Sequence, residues 1–467
     1  MKLIARILAW LVALVVVAAI GAVGWLYINP PEEFRVANAY SAKIVCSSVF
    51  VSGRKAEEVL ADDVQAPGHW LLKYVSVSKG QDLVTAKLFG FLAAETAVYR
   101  PGLGCASAPN GDPDAVRAVA FKNPPVIPPV SDFEWPLGDT VSRSADARAE
   151  ALLADPKLIG PGARALVVVK DGRLIAEAYA PGFNAETPLL GWSMTKTVAG
   201  ALAALRMQDG ALSWDKAKLF PDWTDGRADI TVAHLMAMTS GLSLNESYGD
   251  VDDVTRMLFL EPDQAKFVRD KPLEAQPGET FEYTTGTAVL LARAVQDTFA
   301  DRDAALAYPR QALFAPIGMR SAIFETDETG TFSAGSLLYA TPRDWARFGL
   351  LLANGGDWNG EQILPVDYIE RVGRASALSG GRYTEALAWK SGAGRATVEE
   401  TGLPADAFWA LGHDGQSIAM IPSANLVVVR LGLTPSALGY DPAPLVKALL
   451  AATLEPLPEP EPEPAQP

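Results

Sequence analysis

The sequence contains few cysteines and histidines and has no long run of basic residues. Among its 467 residues are two cysteines and three histidines, and none of the histidines (His69, His234 and His413) stands at ligand spacing from a cysteine. Runs of lysine and arginine are absent, and the formal net charge is −15. Because a nucleic-acid-binding protein needs a basic face that neutralises phosphates, the charge excludes that class of partner. We expect no metal ion and no other cofactor.

Charged residues are also absent from residues 7–28, which read ILAWLVALVVVAAIGAVGWLYI. A helix needs about 20 apolar residues to cross a bilayer. The apolar core of a cleaved signal peptide usually spans about 7–15 residues, whereas this run continues to Trp25 and Tyr27, two residue types typical of the membrane interface. The run therefore predicts an uncleaved transmembrane anchor, and a cleaved signal is the alternative.

Two basic residues, Lys2 and Arg6, precede the predicted span. Basic residues favour the cytoplasmic side of a membrane, so residues 1–6 are predicted to stay in the cytoplasm. The chain from about Asn29 onward is then exported. This predicts a single-pass protein of the inner membrane whose bulk lies on the periplasmic, extracytoplasmic side.

Export brings the two cysteines, Cys46 and Cys105, into an oxidising compartment. Two thiols with no other partner most simply form one disulfide, which closes a loop of about 60 residues; two buried free thiols are the alternative. Residues 69–92 alternate between apolar and polar and predict two strands joined by a turn at residues 79–82. We predict a small β-containing module at residues 35–108, held together by the disulfide.

Proline is abundant in two segments. The stretch NPPVIPPVSDFEWP, residues 123–136, is too rich in proline for a helix or an interior strand, so we predict a connector over residues 109–140. At the carboxyl terminus, residues 455–467 alternate proline with glutamate and offer no apolar surface to bury. That tail is predicted to be disordered or extended as polyproline II.

Residues 141–454 combine strand and helix patterns and predict an α/β (α+β) domain. Residues 164–180 predict two strands around a turn, and residues 408–433 predict two more strand runs. Between them lie mainly helical patterns, the first of which ends at Gly210. Strands from distant segments with helices between them predict one sheet with a helical insertion beside it.

The first of these helices begins GWSMTKTVAGALAAL, with Ser193 three residues before Lys196. Residues three apart share one face of a helix, so the lysine amine can reach the serine hydroxyl. Burial against the apolar residues that follow would lower the pKa of the lysine and make it a base. The helix amino terminus favours negative charge on the serine oxygen. The pair predicts a nucleophile; a serine that starts the helix beside a solvated lysine is the alternative.

Two further stretches supply what such a nucleophile needs. In FEYTTGTAVLLA, Tyr283 stands at a turn before a helix and offers a second proton carrier. In GHDGQ, residues 412–416, a polar and glycine-flanked strand start offers a second backbone N–H for an oxyanion.

Serine, tyrosine and strand follow in the order found in the serine β-lactamase and penicillin-binding protein superfamily, whose signatures are Ser-x-x-Lys, Tyr-x-Asn or Ser-x-Asn, and Lys-Thr-Gly. The chain resembles the class C branch, in particular its carboxylesterases and 6-aminohexanoate-oligomer hydrolases, also in HLMAMTSGL, PGETFEYTTG and ATPRDWARFGLLLANGG. The resemblance covers about residues 141–454. It implies an antiparallel sheet flanked by helices, together with an all-helical subdomain.

By position, the resemblance implies a role for each motif residue. Ser193 would form the acyl-enzyme, Lys196 would be its base, and Tyr283 would pass a proton toward the leaving group. The backbone N–H groups of Ser193 and Gln416 would form the oxyanion hole.

Two motifs depart from the family pattern, and their residues Thr285, His413, Asp414 and Gly415 are the candidates for substrate binding. Tyr-x-Asn has become Tyr-Thr-Thr, so the Thr285 hydroxyl replaces the amide that orients substrate and lysine. Lys-Thr-Gly has become His-Asp-Gly, so imidazole beside a carboxylate replaces a permanent cation. A substrate carboxylate such as that of a penicillin would be held less firmly, and we do not expect efficient β-lactamase action.

Three other features allow a purely structural interpretation as well as a functional one. His413 either contacts substrate or hydrogen-bonds the protein at a strand edge. His234, in TVAHLMAM, is interpreted as a packed structural residue. The loop with Asn245, Glu246 and Tyr248 is either the rim of a cleft or an ordinary surface loop.

The leading hypothesis is a membrane-anchored serine hydrolase that cleaves an amide or ester bond of a small or oligomeric substrate. A D-amino-acid-directed peptidase that acts on cell-wall peptides is one alternative. A non-catalytic binding or sensory protein that keeps the cleft is the other. The partners implied are a small-molecule or peptide-like substrate and the membrane.

Overall fold

The structure is a computed structural model of the chain. It describes residues 2–121, 124–129, 133–141, 146–392 and 398–454. The predicted tail at residues 455–467 lies outside the described residues, as do residues 122–123 and 130–132 of the predicted connector.

The described elements are numbered in chain order. The strands are β1 (Val75–Lys79), β2 (Leu83–Leu88), β3 (Leu92–Arg100), β4 (Gly104–Ser107), β5 (Ala163–Lys170), β6 (Arg173–Tyr179), β7 (Leu189–Leu190), β8 (Ile323–Phe324), β9 (Leu338–Ala340), β10 (Asp357–Trp358), β11 (Glu361–Gln362), β12 (Phe408–Gly412), β13 (Gln416–Ile421) and β14 (Leu426–Gly432). The helices are α1 (Lys2–Ile28), α2 (Glu32–Phe50), α3 (Ala56–Val59), α4 (Pro113–Ala118), α5 (Ala147–Leu153), α6 (Pro156–Ile159), α7 (Met194–Gln208), α8 (Val232–Met236), α9 (Asp253–Phe259), α10 (Gln264–Arg269), α11 (Thr285–Gln296), α12 (Arg302–Pro309), α13 (Pro342–Ala353), α14 (Val366–Gly373), α15 (Val398–Thr401) and α16 (Ala443–Leu454).

The chain divides into two compact units that each combine distant segments. The first unit comprises Met1–Arg100, Cys105–Ala120 and Ser247–Pro262. The second comprises Pro101–Gly104, Phe121–Glu246 and Asp263–Pro467.

The first unit is built on a four-stranded sheet in the order β1-β2-β3-β4. Strands β1 and β2 form the hairpin that the sequence predicts, with Lys79 paired to Val84 at its turn. Helix α2 packs across β2 and β3, and its mixed polarity gives no clear helical pattern in the sequence. A disulfide between Cys46 and Cys105 joins α2 to β4. The predicted β-containing module thus has a helix as its second layer.

A segment distant in sequence completes the first unit. Helix α9 packs against α2, where the rings of Tyr40 and Phe259 meet edge to face with 5.5 Å between centroids. An ion pair joins Arg256 to Glu32 with 2.6 Å between nitrogen and oxygen. In the predicted division this segment lies inside residues 141–454, so the sequence patterns do not indicate its place in the fold.

Helix α1 is the one helix among the described residues that is long and apolar enough to cross a membrane, over Leu3–Ile28. None of its most apolar window is buried by protein. Exposed apolar surface of this extent is stable only when lipid or another apolar partner covers it. The finding fits a membrane anchor and also a signal sequence.

The second unit contains a five-stranded sheet in the order β12-β13-β14-β5-β6, with every neighbouring pair antiparallel. The predicted sheet built from distant segments is confirmed, since β14 pairs directly with β5. One detail of the prediction is wrong: residues 408–433 form three strands rather than two. Asp414, at φ 58°, and Gly415, at φ 81°, reverse the chain between β12 and β13.

Helices cover both faces of this sheet. Helix α13 packs against β13, β14 and β5, and Gly349 permits a close approach, because an added Cβ would lie 2.7 Å from side-chain atoms of Ile418 and Val427. On the other face, Leu153 of α5 shares a core with Val428. The predicted sheet flanked by helices is confirmed.

A helical part adjoins the sheet in the second unit. Helix α11 packs against α7, α8 and α10, and ten of its residues are buried, from Thr285 to Val295. The predicted catalytic residues lie at or beside the first turns of α7 and α11.

Candidate active site

Ser193 lies at the amino terminus of α7 as its capping residue. The helix forms because its sequence is rich in alanine, the residue with the highest helix propensity, and it ends before Gly210, whose φ is 75°. Trp192, directly before Ser193, has a φ of 47°, which is unfavourable for a bulky residue. Strain of this kind clusters at functional sites.

Lys196 is the group that can activate Ser193. Its side chain is buried, and its Nζ donates hydrogen bonds to Ser193 Oγ at 2.9 Å, Thr285 Oγ1 at 2.9 Å and the Gly335 carbonyl oxygen at 2.7 Å. Burial lowers the pKa of Lys196 from its usual value to about 8, and the charge of Glu246 opposes this shift. A useful fraction of neutral amine is therefore present near neutral pH, as a general base requires.

Tyr283 stands beside the same two groups. Its ring centroid lies 4.7 Å from Lys196 Nζ, and the Ser193 side chain is close enough to act on the phenol. Burial raises the pKa of Tyr283 well above its usual value, and the charge of Glu246 raises it further. The phenol keeps its proton at neutral pH and is therefore suited to donate it.

The loop with Asn245, Glu246 and Tyr248, predicted as either a cleft rim or a surface loop, contacts this site through Glu246. The Glu246 carboxylate accepts hydrogen bonds from the Thr285 backbone N–H at 2.8 Å and from Thr285 Oγ1 at 2.5 Å. Thr285 is the first residue of α11, so the carboxylate also lies at the positive end of that helix. A continuous network runs from Glu246 through Thr285 to Lys196 and Ser193. Thr285, a predicted substrate-binding residue, is fully buried within it.

Gly335 contacts two residues of this network, Lys196 and Thr285. An added Cβ at Gly335 would lie 2.3 Å from Thr285 Cγ2 and 2.7 Å from the Thr285 carbonyl oxygen, so a larger residue does not fit there without a shift of α11. Its carbonyl is the acceptor nearest to Lys196 Nζ among the three above. Sequence reasoning missed this glycine because 139 positions separate it from Lys196 and no motif marks it.

Gly412 brings the turn between β12 and β13 against the start of α7. An added Cβ at Gly412 would lie 2.2 Å from the Gly191 carbonyl oxygen, a contact that only glycine permits. The rings of His413 and Trp192 meet edge to face with 5.5 Å between centroids. The turn that was predicted to complete the site therefore lies next to the residue that precedes Ser193.

His413 and Asp414 interact with each other in this turn. His413 Nε2 lies 3.3 Å from Asp414 Oδ1. Burial raises the pKa of Asp414, and the charges of His413 and Arg164 oppose that shift. These contacts support the interpretation of His413 as a residue that hydrogen-bonds the protein, and its contact with substrate stays a prediction.

Gln416 and Gly415 are held in place by β14. Gln416 Nε2 donates to the Gly432 carbonyl at 2.6 Å, and Gln416 Oε1 accepts from the Gly432 N–H at 2.8 Å. The buried Arg430 donates to the Gly415 carbonyl at 2.8 Å. Since its side chain is engaged with β14, Gln416 would serve the site through its backbone. An oxyanion hole formed by the N–H groups of Ser193 and Gln416 stays a prediction.

His234 belongs to a helix cap, which confirms its interpretation as a structural residue. The Thr231 N–H donates to His234 Nδ1 at 3.2 Å, and the His234 N–H donates to Thr231 Oγ1 at 3.2 Å, at the start of α8. Across the part of the chain that the structure describes, no group of three or more His, Cys, Asp or Glu residues is placed to hold a metal ion.

Known proteins have sequences similar to that of this chain. The profile of the β-lactamase family matches residues 156–444. A 6-aminohexanoate-dimer hydrolase from Paenarthrobacter ureafaciens is 24% identical over 301 residues, which are 58% of this chain and 72% of that protein.

Solved structures show the same fold. A Bacillus anthracis protein assigned as a 6-aminohexanoate-dimer hydrolase matches with a TM-score of 0.51 at 23% identity, over 63% of this chain and 78% of that one. A Bacteroides dorei protein assigned as a β-lactamase matches with a TM-score of 0.54 at 19% identity, over 67% of this chain and all of that one.

Proposed function

Because the chain belongs to the β-lactamase family of serine hydrolases, we propose that it is a membrane-anchored enzyme that cleaves an amide or ester bond through an acyl-enzyme on Ser193. The 2.9 Å hydrogen bond between Lys196 Nζ and Ser193 Oγ carries this proposal. A serine hydroxyl is a weak nucleophile unless a base removes its proton. The lowered pKa of Lys196, about 8, gives it that capacity.

Acylation begins with a proton transfer inside the network. The neutral amine of Lys196 accepts the Ser193 proton, and the serine oxygen attacks the substrate carbonyl carbon. The oxyanion accepts hydrogen bonds from the N–H groups of Ser193 and Gln416. As the C–N or C–O bond breaks, Tyr283 protonates the leaving amine or alkoxide and regains a proton from the Lys196 ammonium. A water then attacks the acyl carbon and gives its proton to Lys196. As the bond between the acyl carbon and Ser193 Oγ breaks, Lys196 returns that proton to the serine oxygen and the acid is released.

The turn at residues 413–415 bears on the substrate. Its carboxylate, Asp414, is partly exposed and is a poor partner for a substrate carboxylate, which a penicillin would bring, because like charges repel. The relative from Paenarthrobacter ureafaciens is named for a 6-aminohexanoate dimer. We infer that the substrate is a small or oligomeric compound with a linear amide or ester bond.

The apolar helix α1 supports a location at the membrane. Lys2 and Arg6 precede its apolar core, which favours an orientation with the second unit on the extracytoplasmic side. The disulfide between Cys46 and Cys105 agrees with an oxidising compartment. Amino-terminal sequencing of the mature protein tests the anchor: a start at Met1 or residue 2 supports it, and a start near residues 20–30 contradicts it.

The catalytic proposal is tested by intact-mass spectrometry of the full chain after treatment with a serine-reactive fluorophosphonate. We expect one adduct, mapped to Ser193, that is absent from Ser193→Ala and nearly absent from Lys196→Ala. Ser213→Ala, which changes an exposed serine, is the matched control and should keep the adduct. An unlabelled parent protein would contradict the proposal and favour a binding role. Release of peptides from purified muropeptides would instead assign the enzyme to cell-wall peptides.

A further inference from the structure

Four large aromatic side chains of the first unit are exposed at one end of its sheet. Trp70, Tyr74, Phe89 and Phe91 are 61%, 51%, 50% and 47% exposed. Aromatic side chains of this size normally supply core contacts, because their burial is strongly favourable. Four together form an apolar surface of the kind that marks an interaction site.

Three of the four exposed rings contact one another in series. The centroids of Trp70 and Tyr74 lie 6.3 Å apart, and those of Tyr74 and Phe89 lie 5.1 Å apart. The Phe89 N–H donates to the Tyr74 carbonyl at 2.9 Å, which ties the two chain segments together. We call these four residues the aromatic patch.

Strand pairing places the aromatic patch at one end of the sheet. Tyr74 directly precedes β1, while Phe89 and Phe91 lie in the connection between β2 and β3. Val75 pairs with Leu88, and Leu88 pairs with Leu92. The start of β1, the end of β2 and the start of β3 therefore coincide beneath the patch.

Helix α2 places its amino terminus at this same end. Asn38 Nδ2 donates to the carbonyls of Leu92 and Ala93 at 3.1 and 2.6 Å, near the start of β3. At the other end of α2, the Phe50 ring stacks on Tyr99 with 5.1 Å between centroids. The helix thus runs away from the aromatic patch.

Helix α1 reaches the unit at the end that carries the patch. It ends at Ile28, four residues before α2 begins at Glu32, and it contacts β3. The last turns of α1 expose Trp25 and Tyr27 at 61% and 62%. Tryptophan and tyrosine at the end of a membrane-spanning helix typically lie at the level of the lipid headgroups.

We propose that the aromatic patch docks onto the extracytoplasmic surface of the bilayer that α1 crosses, so that the first unit is held there by two contacts. The proposal rests on the membrane anchoring under Proposed function. The position of the aromatic patch supports a lipid partner. Because α1 ends at Ile28, next to the start of α2, the anchor holds this end of the sheet at the membrane–water interface.

The test measures the depth of spin labels in the full chain, reconstituted into vesicles of phosphatidylcholine and phosphatidylglycerol. Nitroxide labels are attached to Trp70→Cys or to Phe91→Cys; the native cysteines do not react because they form the disulfide. Gln81→Cys, in the exposed turn between β1 and β2, is the matched control at the opposite end of the hairpin. Val15→Cys, exposed in the middle of α1, reports the anchor.

We expect a severalfold higher ratio of oxygen to nickel-chelate collisions at residues 70 and 91 than at residue 81, because oxygen concentrates in lipid and the chelate stays in water. Equal ratios at the three sites, with the Val15 label in the hydrocarbon, would overturn the docking and leave the anchor intact. A Val15 label outside the hydrocarbon would overturn the anchor and the docking with it. Labels at both patch sites shielded from oxygen as well as chelate would show a protein partner and overturn the lipid assignment.

Discussion

Glu246 and burial act on Lys196 in opposite directions. Burial disfavours the ammonium and lowers the pKa of Lys196, whereas the Glu246 charge favours the ammonium and raises it. The same carboxylate holds the backbone and hydroxyl of Thr285. Glu246 is therefore a positioning residue that also limits how far burial lowers the pKa of Lys196.

This balance predicts the pH dependence of a Glu246→Gln variant. Loss of the charge lowers the pKa of Lys196 below about 8, so the neutral amine is present at lower pH. The acid limb of kcat/KM against pH should move down by about 1 unit, the lower end of the effect of a neighbouring charge. The maximal rate should fall, because an amide replaces the acceptor of two Thr285 hydrogen bonds.

Glu279→Gln is the matched control for this experiment, since it removes the same charge from an exposed residue outside the network. Its pH profile should follow the parent. An acid limb that stays in place in Glu246→Gln, or that moves equally in the control, would contradict the role assigned to Glu246.

Prediction from sequence succeeded at the residue scale where contacts are local. Ser193 and Lys196 are three positions apart, and the structure brings them together through one turn of α7. Thr285 and Lys196 are 89 positions apart, and they could be related only through the family resemblance. Glu246 had no motif to identify it, because its position depends on how the loop before Ser247 folds.

Two elements meet at the site through their backbones. The end of β12 approaches the start of α7 so closely that an added Cβ at Gly412 would lie 2.2 Å from the Gly191 carbonyl oxygen. The added methyl in Gly412→Ala should push the turn at residues 413–415 away from Trp192. We expect kcat/KM to fall by a factor of about 10 or more, because small displacements in an active site are costly.

Gly373→Ala is the control for the glycine substitution, since an added Cβ there meets nothing within 4 Å. It should leave kcat/KM unchanged. Steady-state kinetics with any ester that the parent hydrolyses provide the measurement. Equal activity of the two variants would show that the turn does not depend on this close approach.

Element prediction failed where side-chain periodicity is weak. Residues 408–433 predict two strand runs, and the left-handed backbone of Asp414 and Gly415, inside the polar stretch at residues 412–416, divides the first run into β12 and β13. Helix α2 mixes polar and small residues on all sides, and even Lys43 and Asn38 are buried. Its helical form therefore depends on packing against β2 and β3, which no local pattern encodes.

At the scale of the whole molecule, one covalent bond links the helix layer and the sheet of the first unit. The disulfide spans 59 positions. Closing a loop of this size stabilises a folded unit by about 4 kcal/mol through the entropy of the unfolded chain. A Cys46→Ser, Cys105→Ser double variant should lose about that much from the unfolding free energy of the first unit.

Denaturant unfolding of the full chain checks this prediction, with near-ultraviolet circular dichroism as the signal. The parent protein, reduced and alkylated after purification, should behave like the double variant. An unfolding midpoint that reduction does not change would contradict the stabilising role of the bond.

Residues 247–262 belong to the first unit although the second unit surrounds them in sequence, and this limits which parts of the gene can be deleted. The chain enters the first unit directly after Glu246 and returns to the second at Asp263. A deletion of the amino-terminal module would leave α9 with Val254, Leu258 and Phe259, each 2% exposed in the intact protein, deprived of α2. The amino-terminal module can therefore be lost or exchanged in evolution only if residues 247–262 change with it. Because this segment begins directly after Glu246, such a change also affects the active site.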